Sequence, residues 1–312
     1  MSELLIRDYQ PGDEQGILPL FETVFGQSLS LAQWDWKYRR GGAAPVLARI
    51  ALDSDGRILA HVGAVELAGW LDGRPLPMLQ ICDIMVHPEA RGHLGQRNLY
   101  TRLVGSFFED LGRRYPGAFC YGFPGGRPFK LGQYAGLYDQ VELAREISWP
   151  LEGAPGPVWR TREIAWSDPE PERAWVQARA SLGLGLVRDR AYYQWRYATN
   201  PYRDYQLLQF RHWFRSQGHA VIRTAGEELW IMELQLAPGQ DPAPALRGLA
   251  DQARHRGLKH LRYWLPGRMA PPPLAQVRTT ELVTTNVVRG FQHPTPWVRE
   301  RMFYSLGDVD MF

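Results

Sequence analysis

The sequence predicts an α+β fold built as two tandem domains, and three observations carry that prediction. A short aromatic motif occurs twice, as "WDWKY" at 34–38 and "YQWRY" at 193–197, which aligns Trp36 with Trp195, Lys37 with Arg196 and Tyr38 with Tyr197. Each copy is followed by the same succession: a proline (Pro45, Pro201), a strand-like run ("PVLARIAL", "YQLLQF"), a Gly-bearing turn, a second run ("ILAHVGAV", "HAVIRT") and a third ("LQICDIMV", "LWIMELQL"). Each third run ends in proline with an acid five residues earlier, Asp83 before Pro88 and Glu233 before Pro238. Finally, a Pro/Gly-rich stretch, "WPLEGAPGPVWR", separates the halves. The expected domains are therefore residues 1–154 and 155–312.

The elements follow in order within each half. After the third run, Leu99, Leu103, Phe107 and Leu111 recur at helical spacing, as Leu246, Leu249 and Ala253 do in the second half. Each helix leads into another apolar run ending in Pro-Gly, "GAFCYGFPG" and "LKHLRYWLPG". Strands that alternate with few helices predict a mixed, mostly antiparallel sheet flanked by helices in each domain.

Composition excludes several classes of function. With 45% hydrophobic and 22% charged residues over 312 positions, the chain has apolar material for two ordinary domains. The 31 glycines and 24 prolines are about a sixth of the chain, a share that marks turns and a linker rather than a disordered polymer. Net charge is +3 and no dense basic run is interleaved with aromatics, so nucleic acid is not an expected partner. Cys82 and Cys120 both lie in apolar runs without a CxxC or His-rich setting, which supports neither a disulfide framework nor a metal site. The opening "MSELLIRDYQPGDE" has no basic segment followed by an apolar core, and no apolar run approaches bilayer length; a cytoplasmic location without membrane partners is the expectation.

The stretch "DIMVHPEARGHLGQRNLYTRLV" passes from strand through a basic, glycine-bearing loop into a helix. Residues Arg91, Gly92, His93, Leu94, Gly95 and Gln96 would offer successive backbone N–H groups at the positive end of a helix dipole, a standard way to hold a phosphate. A plain strand-to-helix turn is the alternative. The second half reads "APGQDPAPAL" at the equivalent place, where Asp241 is suited to cap the helix and Pro242 and Pro244 lack N–H groups. Only the first half is expected to bind a nucleotide-type cofactor.

The order strand, helix, "WxWKY", two strands, "DxxVHPxxRG" loop, helix, strand, "GFP" resembles the GNAT acetyltransferase superfamily, and the doubling resembles its tandem members. The specific part is "DIMVHPEARGHLG", which is similar to the acetyl-CoA pyrophosphate loop. The family usually reads Arg-Gly-x-Gly, whereas here Leu94 takes the second Gly position and Gly95 follows one residue late.

The resemblance implies transfer of an acetyl group from acetyl-CoA to an amine. That chemistry needs a neutral amine, donors for a tetrahedral oxyanion and a proton for the leaving sulfur. In the family the thioester carbonyl lies against backbone N–H groups of the strand before the loop, which points to Met85 and Val86. Asp83 shares a face of that strand with Met85 and His87 by period 2, and is either the proton acceptor or a structural acid bonded to its neighbours. GNAT enzymes commonly use a tyrosine in a Tyr-x-x-x-Gly-Phe pattern; matching Gly136-Leu137 to Gly-Phe puts Gly132 there, and Tyr134 is the candidate acid, since Tyr138 begins the next strand. Tyr134 as a packing residue is the alternative.

Trp36 and Tyr38 have counterparts in the half without the loop, which favours a structural role for both pentads. The terminal "FYSLGDVDMF" reads as a strand with Asp308 and Asp310 on one face. The whole chain is thus expected to be an acetyl-CoA-dependent N-acetyltransferase acting on a primary amine of a small molecule, with an amino sugar preferred. The second domain is expected to shape the substrate cleft or a homodimer interface. A catalytically inactive scaffold or regulator, or an acyl or aminoacyl transferase acting on a cell-envelope precursor, are the competing readings.

Overall fold

The computed structural model describes residues 4–40, 45–91, 98–151 and 158–309. Strands in chain order are β1 (Leu5–Asp8), β2 (Leu47–Leu52), β3 (Ile58–Leu71), β4 (Arg74–Val86), β5 (Phe119–Gly122), β6 (Tyr138–Trp149), β7 (Arg160–Glu163), β8 (Leu184–Leu186), β9 (Gln206–His212), β10 (Arg215–Ala225), β11 (Glu228–Leu236), β12 (His260–Trp264) and β13 (Gln276–Val287). Helices are α1 (Glu14–Phe25), α2 (Leu31–Trp34), α3 (Leu99–Arg114), α4 (Gly126–Tyr134), α5 (Glu170–Ala178), α6 (Arg190–Tyr193), α7 (Ala243–His255) and α8 (Thr295–Arg301).

Two compact units result, each drawing on several stretches of chain. The first takes Met1–Ala68, Leu76–Val141 and Leu282–Val298; the second takes Gly69–Pro75, Glu142–Glu281 and Arg299–Phe312. A division near residue 155 follows the order of the repeats and leaves this exchange of segments out.

In the first unit the strand order is β1-β2-β3-β4-β5-β13-β6. β1 pairs β2 and β2 pairs β3 antiparallel, whereas β4 and β5 run parallel over Met78–Gln80 and Phe119–Tyr121. The second unit repeats the plan as β6-β12-β11-β10-β9-β7, again antiparallel except for one parallel pair, Glu228–Ile231 on β11 with His260–Tyr263 on β12. β8 pairs with Gly69–Leu71 at the end of β3. The architecture is α+β with mixed, mostly antiparallel sheets, as the alternation of apolar runs predicts.

The cores form where the helical and strand periods meet. On α3, Leu103, Val104, Phe107, Phe108 and Leu111 are buried against Ala60, Val62, Ala64 and Leu79, and burial of each large side chain stabilises by roughly 1.5–3 kcal/mol relative to exposure. Asn98 starts this helix by accepting the Thr101 N–H at 2.7 Å. On α7, Leu246, Leu249 and Ala253 do the same work against Leu229, Ile231 and Leu261. Asp241 takes the Ala243 N–H at 2.9 Å, so a carboxylate does occupy that helix start, one residue upstream of Pro242 at the cap position.

The two aromatic pentads are more alike in structure than their letters suggest. Each follows a one-turn α-helix, α2 or α6, and completes a π-helical turn, at Asp35–Arg39 and Gln194–Ala198. Each short helix is capped: Ser30 and Gln33 form a reciprocal capping box, and Asp189 accepts the Tyr192 N–H at 2.8 Å. One expectation fails. The terminal segment forms no strand among the described residues: Leu306–Asp308 is a 3-10 turn and Asp308 is buried. The reason is electrostatic, because Asp308 accepts a hydrogen bond from buried Arg188 at 2.6 Å. Asp310 lies outside the described residues.

Candidate functional site

The site grows from an irregularity in β4. The residues of this strand packed toward α3 are Leu79, Ile81, Ile84 and Val86, a series that jumps by three at Asp83. Asp83 itself has φ 49°, a left-handed conformation that costs a non-glycine residue free energy and persists only where surroundings hold it. Strict period-2 alternation along Asp83, Met85 and His87 is therefore interrupted by a bulge, which re-aims the strand.

What holds Asp83 is the pentad. Lys37 Nζ donates to both carboxylate oxygens, at 2.8 and 2.9 Å, and the Tyr38 hydroxyl donates to Oδ2 at 2.6 Å. Gly63 leaves room for Tyr38, since a Cβ there would overlap the phenol ring. Burial pushes the Asp83 carboxyl up, but the Lys37 charge and the hydrogen bonds from Lys37 and Tyr38 outweigh it, so the carboxyl lies below its ordinary value. An acid so placed is held ionised, with both oxygens engaged.

His61 completes the cluster. Its Nδ1 lies 2.8 Å from the Asp83 carbonyl oxygen, which can only accept, so Nδ1 carries the proton. Burial drives the His61 pKa down and the ring is neutral at neutral pH, leaving Nε2 a buried atom without a hydrogen-bond partner.

β4 parts from β5 just ahead of the bulge. Strand pairing with β5 covers Met78–Gln80, and the last stretch of β4, Ile84–Val86, runs on past it at the carboxyl ends of two parallel strands, where open α/β sheets commonly bind ligands. The His87 N–H bonds to Leu59 O on β3 at 2.8 Å. By strand alternation the peptide groups of Val86 then face away from β3, and those of Met85 face toward it. Of the two residues expected to offer an amide to a carbonyl, Val86 has the suitable direction. Arg91 Nε donates to Val86 O at 2.8 Å, fixing the strand end to the start of the loop. Gly92, His93, Leu94, Gly95 and Gln96 lie outside the described residues.

The remaining candidates separate. Tyr134 ends α4 with 81% of its surface exposed, outside the Asp83 cluster. Tyr138 begins β6 as expected and is buried; it donates to Pro128 O at 2.8 Å and accepts from Tyr100 at 2.8 Å. Burial raises both phenols, Tyr100 to about 12. His87 is occupied at the strand end, where Nε2 lies 2.8 Å from Arg57 and Nδ1 meets the Glu89 N–H at 3.3 Å. Lys37, Tyr38 and His61 are the members that sequence reasoning did not assign to the site. The signal for the first two was present in the pentad repeat taken with the Asp83–Glu233 correspondence.

The second unit carries the counterpart. Glu233 accepts from Tyr197 at 2.9 Å, from Tyr192 at 3.2 Å and from Arg188 Nε at 2.9 Å. β11 bulges at the same place, with register shifting between Val221 and Ile222. Arg196, in the position of Lys37, instead donates to Gly307 O and Val309 O. The Ala237 N–H bonds to Gln217 O as that of His87 does to Leu59 O, which aligns His219 with His61. Both histidines are wholly buried.

Residues 5–133 match the acetyltransferase (GNAT) domain family. The fold is similar to that of a probable N-acyltransferase from Enterococcus faecalis V583, with TM-score 0.68 and 16% identity over 93% of this chain and 73% of that one. It is similar, too, to a GCN5-related N-acetyltransferase from Anabaena variabilis (TM-score 0.68, 14% identity, 92% and 73% covered). A third, from Kribbella flavida, has TM-score 0.66 and 16% identity with 92% and 72% covered. No curated protein sequence matches the chain. Residues 5–133 thus match a GNAT acetyltransferase domain, and the fold of nearly the whole chain is the one found in GCN5-related structures.

Proposed function

We propose that the first unit transfers an acetyl group from acetyl-CoA to a primary amine of a small molecule, with amino sugars the first acceptors to try. The observation that carries this reading is the end of β4 past its pairing with β5, where the Val86 peptide faces away from β3 just before a loop that leads to the α3 N-terminus. The Val86 N–H would polarise the acyl carbonyl, and the loop from Arg91 to Gln96 with the α3 dipole would hold the pyrophosphate. Acetyl-CoA supplies the activated acyl thioester.

In this reading Asp83 is a positioning residue. Its carboxylate is spent on Lys37 and Tyr38, and its depressed pKa makes it a weak proton acceptor. The acceptor amine then loses its proton to solvent. Tyr134, exposed at the end of α4, is the proposed donor to the leaving sulfur, since Tyr138 has no proton to spare.

The test combines binding, stability and rate. Acetyl-CoA at a hundred times its Kd should stabilise the protein by about 2.7 kcal/mol, read as a rise in melting temperature. Asp83→Asn would leave Lys37 buried beside a neutral group, a loss of about 3 kcal/mol or more, while acetylation or slow acetyl-CoA hydrolysis stays within about tenfold of the parent. A rate loss of two to four orders of magnitude at an unchanged melting temperature would instead make Asp83 the general base. No stabilisation by acetyl-CoA would remove the cofactor, and with it the enzyme, from the reading.

A further inference from the structure

The second unit contains a cavity of about 500 Å³ where β11 and β12 part, the counterpart of the opening between β4 and β5. Its volume lies within the range of small-molecule sites, and its walls are mainly apolar, including Trp175, Leu186, Trp264, Leu265, Met269 and Phe303. Ala237 N–H is bonded to β10, so by alternation the peptide groups of Leu236 and Leu234 face the parted side.

Three polar groups reach this apolar space. The Tyr263 hydroxyl is buried without a hydrogen-bond partner, on a residue only 5% exposed, and Gln235 Oε1 is likewise buried and unpartnered. A buried polar atom left unpaired costs about 1–3 kcal/mol, and native proteins relieve that cost with water or a ligand. Arg268 is the third group. Its Nε donates to Met302 O at 3.0 Å, and the residue is exposed at the rim of the cavity. The nearby carboxylate of Glu142 is bound to the Gly267 N–H and the Tyr304 hydroxyl. The other cation at the wall, Arg188, is matched by Glu233 and Asp308.

We infer that this cavity binds an amphipathic carboxylate whose apolar body carries an amide or hydroxyl donor, an N-acyl amino acid being the simplest such molecule. The terminal nitrogens of Arg268 take the carboxylate in the planar geometry a guanidinium prefers, Tyr263 adds a hydroxyl donor, and Gln235 Oε1 accepts the ligand's N–H. A pyrophosphate ligand is disfavoured in the same place, because Asp241 occupies the start of α7 and Pro242 and Pro244 lack amide donors. The inference rests on the second unit alone and stands or falls apart from acetyl transfer in the first.

The experiment uses the full-length chain and N-octanoylglycine, followed by calorimetry and by the emission of Trp175 and Trp264. Binding is expected, with the methyl ester at least tenfold weaker and decanoate, which lacks the amide donor, several-fold weaker. Arg268→Gln should abolish the preference of acid over ester. Tyr263→Phe should weaken binding several-fold while leaving the melting temperature equal or higher, because it removes an unpaired hydroxyl; a purely structural tyrosine would not separate the two readouts, and this variant serves if Arg268→Gln does not fold. Equal affinity for acid and ester, binding untouched by both variants, or displacement of the probe by coenzyme A would each overturn the assignment, as would failure of N-octanoylglycine to bind.

Discussion

His219 should make this protein acid-sensitive, by an amount that the structure lets one work out. The ring is wholly buried on β10, where Nε2 lies 2.8 Å from the Tyr193 hydroxyl, and burial lowers its pKa from 6.5 to about 3. The unfolded chain therefore binds a proton at His219 before the folded chain does. Stability from this group is complete above about pH 6.5 and is lost as pH falls toward 3. Over the whole window the loss is roughly 5 kcal/mol, and between pH 7.5 and pH 5 it is about 2 kcal/mol. His219→Gln retains a partner for Tyr193 and does not titrate. Urea denaturation of parent and variant at both pH values isolates the term, because every other group, His61 included, cancels in the double difference. The variant is expected to lose about 2 kcal/mol less than the parent on going to pH 5. If both lose the same amount, His219 is not buried neutral as the geometry requires.

Two further predictions concern the clusters around the paired acids. Gly63→Ala places a Cβ against the Tyr38 ring and should destabilise by about 1–3 kcal/mol, with the Tyr38–Asp83 hydrogen bond as the casualty; an unchanged melting temperature would mean that the pentad can retreat freely. Arg188→Met strands Glu233 and Asp308 side by side and should cost about 3–5 kcal/mol at pH 7.5. Since burial already pushes the Asp308 carboxyl up to about 6, the cost should shrink at pH 5, where that proton is bound, and an equal cost at both pH values would count against the pairing.

The fold was legible because period and punctuation agree. Runs such as "LARIAL" and "ILAHVGAV" became β2 and β3, and the helical spacing of Leu99 to Leu111 became α3. The site was legible only in part. Asp83 stands out as an acid in an apolar run, but its left-handed backbone and its pairing with Lys37, 46 residues away, are tertiary facts that no local pattern carries. Tyr134 and Tyr138 could be ranked by strand start but not by exposure, which depends on how α4 seats Phe129 and presents its end. The exchange of residues 282–298 into the first unit left no mark in the repeat, because a strand added across the sheet uses the same apolar alternation wherever it docks.

The doubled architecture acts as an internal control for deciding which residues make the scaffold and which make the chemistry. A tyrosine from a π-helical turn donating to an acid at a strand bulge is found in both units, Tyr38 on Asp83 and Tyr197 on Glu233. A buried neutral histidine two residues beyond the same strand contact is also found in both, as His61 and His219. One of these units ends its bulged strand in a helix whose start is taken by Asp241, so the shared features do not require a nucleotide. In both units pairing with the parallel neighbour ends just before the irregularity, at Gln80 on β4 and at Ile231 on β11. The differences fall at the edges themselves. The first unit puts Arg91 and a glycine-bearing loop before α3, while the second lines its opening with apolar side chains, Arg268 and two unpaired polar atoms. On the two proposals above, the same wedge, flanked in each unit by an acid bonded to a tyrosine, takes two different ligands through the residues at its mouth, which is where substitutions should change specificity without unfolding either unit.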